Sequence, residues 1–330
     1  MRISKLFLAL FTLPVVMLIL PSSCSKTGYT IINTTADSAS QIITANDELN
    51  INYELDQVIN ESLLATTQCY LTSGDTVALG LNTTISGAII DTSYINDSSL
   101  ITVTYYGKNG QQTKGRTGTV TINFVRDNNG KIIPWGKPGA TININFYQYE
   151  VIVLATNVSV WMNGSATVTN TSGGLLMRPG NITLPGSDSL QDKVDANIIF
   201  TYNDNTSLIQ TWTWLMTQTR VFNFQNSLLT STIRGDSTVG TLTGIATSGT
   251  TRLSIGFNTQ ITIPVVQTMS PGLILSNPLS GEKVIHGIPE PVTIDYGFNS
   301  NGTPAQNSSP YGYKMTWIHN GGQAVTIVPY

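Results

Sequence analysis

Thr119-Val120-Thr121-Ile122-Asn123-Phe124 and, further on, Thr141-Ile142-Asn143-Ile144-Asn145-Phe146 decide the fold. In both, apolar side chains alternate with Thr or Asn, the period of two that sets one strand face against a core and the other against water. Similar alternation runs through roughly 99–106, 149–161, 165–171, 194–203, 207–217, 219–224, 228–234, 239–246, 251–266, 290–298 and 313–328. Short polar links join most of these runs, so neighbours should pair antiparallel; parallel pairing would need long helical crossovers that the sequence does not supply. Asn-Gly pairs at Asn109-Gly110, Asn129-Gly130, Asn163-Gly164, Asn301-Gly302 and Asn320-Gly321 predict tight turns, because both residues tolerate positive φ.

Only one stretch reads differently. Ile51, Leu55, Val58 and Ile59 share a helical face, with Asn52, Glu54, Asp56 and Asn60 largely elsewhere, which predicts one or two helices within 36–73. Asp47 and Glu48 would suit the positive end of a helix starting at about Asn46. The fold class expected is all-β and mainly antiparallel, a twisted meander closing into a sandwich or flattened barrel, with a short N-terminal helical segment. The organisation expected is a main β region over 74–269 and a C-terminal β segment over 270–330. The proline-rich stretch from Ser270 to Pro291 is the candidate boundary or irregular connection between them, across which the two could be continuous.

The chain starts with a basic segment, Arg2 and Lys5, then an apolar run from Leu6 to Leu20, then Pro21-Ser22-Ser23-Cys24. A membrane span needs about 20 apolar residues, so residues 1–23 read as a signal peptide. Cys24 sits where lipoprotein precursors carry the cysteine that is acylated, and 24–35 reads as a lipid-anchored tether; the alternative is ordinary secretion with cleavage near Ser23. The expected location is therefore the cell envelope, at the outer membrane, facing either the periplasm or the surface.

Composition narrows the functions. Removing the leader takes two of the 16 basic residues and none of the 19 acidic ones, moving the net charge from −3 to −5, so no nucleic-acid partner is expected. Charged residues are only 11% of the chain, and Cys24 and Cys69 are the only cysteines, so a disulfide scaffold is not expected.

The stretch from Arg116 to Phe146 resembles an uncharacterised β-rich lipoprotein family of Bacteroidota. The similar pieces are the strand Gly118 to Phe124, then Gly130 to Ile133, then Pro138 to Val151; Gly164 to Asn170 and Val292-Thr293-Ile294-Asp295-Tyr296-Gly297 fit as well. Family members carry a cysteine soon after Asp-Tyr-Gly. Here Phe298-Asn299-Ser300 follows and no cysteine lies beyond Cys69, which makes this chain a divergent member. The resemblance implies location and β architecture, not an activity.

No reaction is expected. His286 and His319 stand far apart in sequence without clustered ligands, and no nucleophile motif is present. Asp127 and Asp204 lie in Asn-rich turns that offer oxygen ligands, the weak candidates for calcium, although neither turn has the spacing of an EF-hand loop. Trp212 and Trp214, two apart in a strand, share a face and would stack on sugar rings if exposed, or join the core if buried. Ser38, Thr76, Ser189 and Ser237 follow Asp in an Asp-Ser/Thr-apolar pattern similar to Bacteroidota O-glycosylation acceptors. No cofactor is expected. The partners expected are the membrane, through the N-terminal lipid, and a glycan or envelope protein. The functions expected are a non-catalytic envelope lipoprotein with a structural or interaction-mediating role, a glycan- or ligand-binding surface module, or a pilin-like subunit exchanging edge strands.

Overall fold

The structure is a computed structural model that describes residues 36–67, 69–72, 75–78, 84–110, 112–174, 189–203, 209–225, 228–270, 274–306 and 309–330. Residues 1–35, which contain the expected signal peptide and tether with Cys24, lie outside the described residues. Among the described residues the chain is all-β apart from one long helix, α1 (Ala36–Thr67), and a single turn, α2 (Ile95–Ser98). After α1 a small ladder pairs β1 (Cys69–Thr72) with β2 (Asp75–Ala78). The 36–73 segment is thus one helix followed by a strand. The helix starts ten residues before Asn46.

The remaining strands form one antiparallel sheet. They are β3 (Ala88–Asp91), β4 (Leu100–Tyr105), β5 (Lys114–Phe124), β6 (Thr141–Val153), β7 (Val158–Asn170), β8 (Ser189–Asn203), β9 (Ile209–Gln225), β10 (Leu228–Gly235), β11 (Ser237–Val239), β12 (Leu242–Thr250), β13 (Gly256–Ser270), β14 (Ile274–His286), β15 (Val292–Phe298), β16 (Gly312–His319) and β17 (Gly322–Pro329). Strand order follows chain order from β3 to β10 and from β13 to β17. Between the long strands β9 and β13, β10 fills one half of the gap and β12 the other. The stretch Ser270–Pro291, expected as a boundary or an irregular connection before a C-terminal segment that could be continuous with the main region, is occupied largely by β14, hydrogen-bonded to both β13 and β15.

Several details of the strand reading change: the 239–246 run is broken by a turn at 240–241 between β11 and β12, and residues 251–255 of the 251–266 run form the link between β12 and β13. The 149–161 run is broken by a turn at 154–157 between β6 and β7, and Asn163-Gly164 lies inside β7 rather than at a turn. In β6 an extra residue at Tyr147-Gln148 switches the inward phase from Ile142, Ile144 and Phe146 to Tyr149 and Val151. Asn163 Oδ1 accepts the Gln148 N–H at 3.0 Å, which satisfies a donor at the bulge. Gly118 packs so closely beside it that a Cβ would come within 2.2 Å of the Gln148 carbonyl oxygen.

The sheet is rolled around α1. Tyr53 and Glu54 are neighbours on the helix, yet the Tyr53 hydroxyl donates to the Leu275 carbonyl of β14 while Glu54 accepts from Tyr149 of β6. One turn further, Gln57 accepts from the Leu275 N–H and Glu61 from Tyr105 of β4. β14 and β4 stand eight places apart in the ladder, about 38 Å on a flat sheet, whereas Gln57 and Glu61 are about 6 Å apart along the helix. Only a curled sheet can reach both. Every residue from Glu54 to Thr66 is buried, whichever way its side chain points. The helical face expected to be polar is therefore enclosed, and the inward faces of the strands, with Ile122, Ile144, Val168, Ile198, Phe222 and Ile294, complete the core.

Candidate functional site: an enclosed charge network and its cavity

A buried carboxylate is costly unless paired and hydrogen-bonded, and α1 carries four: Glu48, Glu54, Asp56 and Glu61. Three find cations on the sheet. Arg116 of β5, 1% exposed, places Nη1 2.9 Å from both carboxylate oxygens of Glu61, and Nη2 donates to the Ser86 carbonyl. Lys114 Nζ lies 3.1 Å from Glu54, which also accepts from the Tyr149 hydroxyl at 2.7 Å. Burial alone would raise the Glu54 pKa, but Lys114 and Arg116 outweigh it and hold the carboxyl below its ordinary value. Lys283 of β14 donates to Glu48 at 3.1 Å. Elsewhere on the sheet, Arg220 of β9 forms a two-point pair with Asp192 of β8, both bonds 2.8 Å, and also donates to Asn60 of α1 at 3.1 Å.

Asp56 is the exception. Among the described residues it makes no close ion pair, and its Oδ1 has no hydrogen-bond partner. Burial raises its pKa to about 6; Arg220 and Lys283 act to lower it, and Glu48 and Asp192 to raise it. A carboxyl whose pKa is raised by folding weakens the fold as pH climbs from the unfolded value of 3.8 through about 6, since the folded state then holds the extra proton. Asp56→Asn is therefore expected to be more stable than the parent at pH 8, by on the order of 3 kcal/mol. The difference should vanish towards pH 4, as read from denaturant midpoints across pH.

Asp56 lines a cavity of about 130 Å³ between α1 and the sheet. Leu49, Asn52 and Tyr53 join it from the helix. From the sheet come Gln218 (β9), Ile233 (β10), Val265 and Gln267 (β13), Asn277, Pro278 and Lys283 (β14), Tyr296 (β15) and Tyr313 (β16), with Tyr330 after β17. Asn52 Oδ1, Gln218 Oε1 and Gln267 Oε1 are, like Asp56 Oδ1, buried oxygens without a protein partner.

The residues singled out by sequence lie elsewhere. Trp212 and Trp214 share a face as expected, but it is the inward one: each is 3% exposed, so they belong to the core and offer no stacking platform to a sugar. Trp212 stacks on Phe200, Trp214 packs edge-on to Phe257, and Trp214 Nε1 donates to the Thr250 carbonyl. Asp127 Oδ1 accepts the N–H groups of Asn129 and Lys131, the hydrogen bonding of the turn it sits in. Asp204 lies outside the described residues. Among the described residues no three His, Cys, Asp or Glu converge as a metal site. His286 sits against Gln260 and His319 beside Asn320, and neither lines the cavity. Ser237 is half-buried in β11; Ser38, Thr76 and Ser189 fall in α1, β2 and at the start of β8, with side chains outside the described set.

Sequence reasoning missed the cavity, yet a signal was present. Asp192, Arg116 and Arg220 occupy the apolar phase of their strands, alongside Val194, Val120 and Phe222 respectively. No family model, curated protein or solved structure matches this chain.

Proposed function

We propose that this protein is a non-catalytic lipoprotein of the cell envelope, held at the outer membrane through acylated Cys24, with a structural or interaction-mediating role. The observation that carries the reading is the position of α1. The tether after Cys24 leads directly into the one helix that is locked to the sheet by ion pairs with β5 and β14 and a hydrogen bond from β9. A pull on the anchor would be borne by the core and not by a peripheral element.

The outward side chains support a body that sits in water beside the bilayer. β8 and β9 turn Asp195, Asn197, Thr211 and Thr213 outward beside exposed Ile199, Ile209 and Leu215, a mixed face, whereas a membrane-spanning barrel needs a continuous apolar outer band. Residues 25–35 span at most about 40 Å, which keeps this body close to the lipid. The resemblance to Bacteroidota lipoproteins agrees with this location.

Cys24→Ala is expected to move the protein from the envelope fraction to the soluble one, while mass spectrometry of the parent finds an acylated Cys24 at the mature N-terminus. Retention of the variant in the envelope, or an unmodified Cys24 in the parent, would overturn the proposal.

A further inference from the structure

We propose that the cavity beside α1 binds a primary alkylammonium, with Asp56 as its counter-ion. Among the described residues the interior and its edge hold six carboxylates, Asp47, Glu48, Glu54, Asp56, Glu61 and Asp192, against five cations, Lys114, Arg116, Arg220, Arg252 and Lys283. Each cation is matched: Lys114 to Glu54, Arg116 to Glu61, Arg220 to Asp192, Arg252 to Asp47 and Lys283 to Glu48. Asp56 is the carboxylate left over, and it lines the cavity.

The remaining features specify the ligand's chemistry. Four buried oxygens, on Asn52, Asp56, Gln218 and Gln267, lack donors, and each belongs to a residue no more than 5% exposed. A primary ammonium supplies one positive charge and three N–H donors; a quaternary ammonium supplies the charge alone. Tyr296 and Tyr313, with ring centroids 6.3 Å apart, add aromatic walls suited to a cation and its alkyl stem. A volume of about 130 Å³ corresponds to about four water molecules, the size of a three- or four-carbon amine. The same chemistry belongs to a free small amine and to the end of a lysine-type side chain. The site is independent of the lipid anchor.

The test is calorimetric titration of the mature protein at pH 7.5 with n-propylammonium, tetramethylammonium and Nα-acetyl-lysine N-methylamide. One saturable site for n-propylammonium is expected, with no binding of tetramethylammonium. Asp56→Asn should weaken binding by about tenfold or more, the loss of one charge-assisted hydrogen bond. Binding of the lysine derivative as well would identify the ligand as a side-chain end; exclusion of it would identify a free amine. The proposal fails if n-propylammonium shows no saturable binding, if Asp56→Asn binds it as well as the parent does, or if tetramethylammonium binds equally. Tetramethylammonium discriminates on the parent protein alone, so the test does not depend on the variant's folding.

Discussion

Arg116→Ala is expected to destabilise the protein by about 3–5 kcal/mol, the cost of leaving a buried carboxylate without its partner. The guanidinium is 1% exposed, touches both oxygens of Glu61 and stacks over the Tyr105 ring at 4.8 Å. Removing it strands Glu61 and deprives Glu54 of a nearby charge at 3.8 Å. Adding Glu61→Gln to Arg116→Ala should recover part of the loss, because the stranded charge goes with it, and a double-mutant cycle should report coupling well outside error. Denaturant midpoints measure both. A loss below about 1 kcal/mol, in the range of an exposed pair, would mean that water reaches Glu61 and that the sheet does not close over this part of the helix.

Trp214→Ala is the second large effect, expected at about 3–5 kcal/mol for a buried aromatic truncated to a methyl. The indole packs against Phe200 and Phe257 and holds the Thr250 carbonyl at 2.9 Å, linking β9 to the end of β12. Trp214→Phe keeps much of the apolar contact and should cost less. Acrylamide should barely quench Trp212 or Trp214 in the native state, since both are 3% exposed. Strong native quenching of these two indoles would restore the exposed stacking face that the structure removes.

Strand existence and antiparallel pairing were legible in the sequence because a period of two is a local property, visible in Thr119 to Phe124 without knowledge of any partner. The turn at Asn320-Gly321 was legible for the same reason: both residues adopt positive φ, 51° and 75°, between β16 and β17. Asn163-Gly164 carries the same chemistry but serves a bulge, since the Gln148 N–H it accepts belongs to another strand. β14 was hidden by Pro278 and by register shifts along its pairing with β13, which break the alternation.

The helix was legible as a helix and illegible as a centre. A polar helical face ordinarily means water, and nothing local to Glu48, Asp56 or Glu61 reveals that Lys283 and Arg116 approach from strands 235 and 55 residues away in sequence. Charged residues in the apolar phase of β5, β8 and β9 show that something polar lies inside. They do not show what it is. The cavity follows from the same long-range matching: it is lined by Asp56, to which no described cation is closely paired, and by Lys283, which is paired to Glu48.

Enclosure of α1 is tested most directly by placing single cysteines at Ser62, Leu63, Leu64 and Ala65, in a Cys24→Ala, Cys69→Ser background. At about 100° per residue these four positions sweep the whole helix circumference. A helix lying on a surface must expose at least one of them. All four thiols should resist a maleimide in the native state while a cysteine at exposed Asn50 reacts freely; rapid native-state labelling at any of the four would show that the sheet does not enclose the helix.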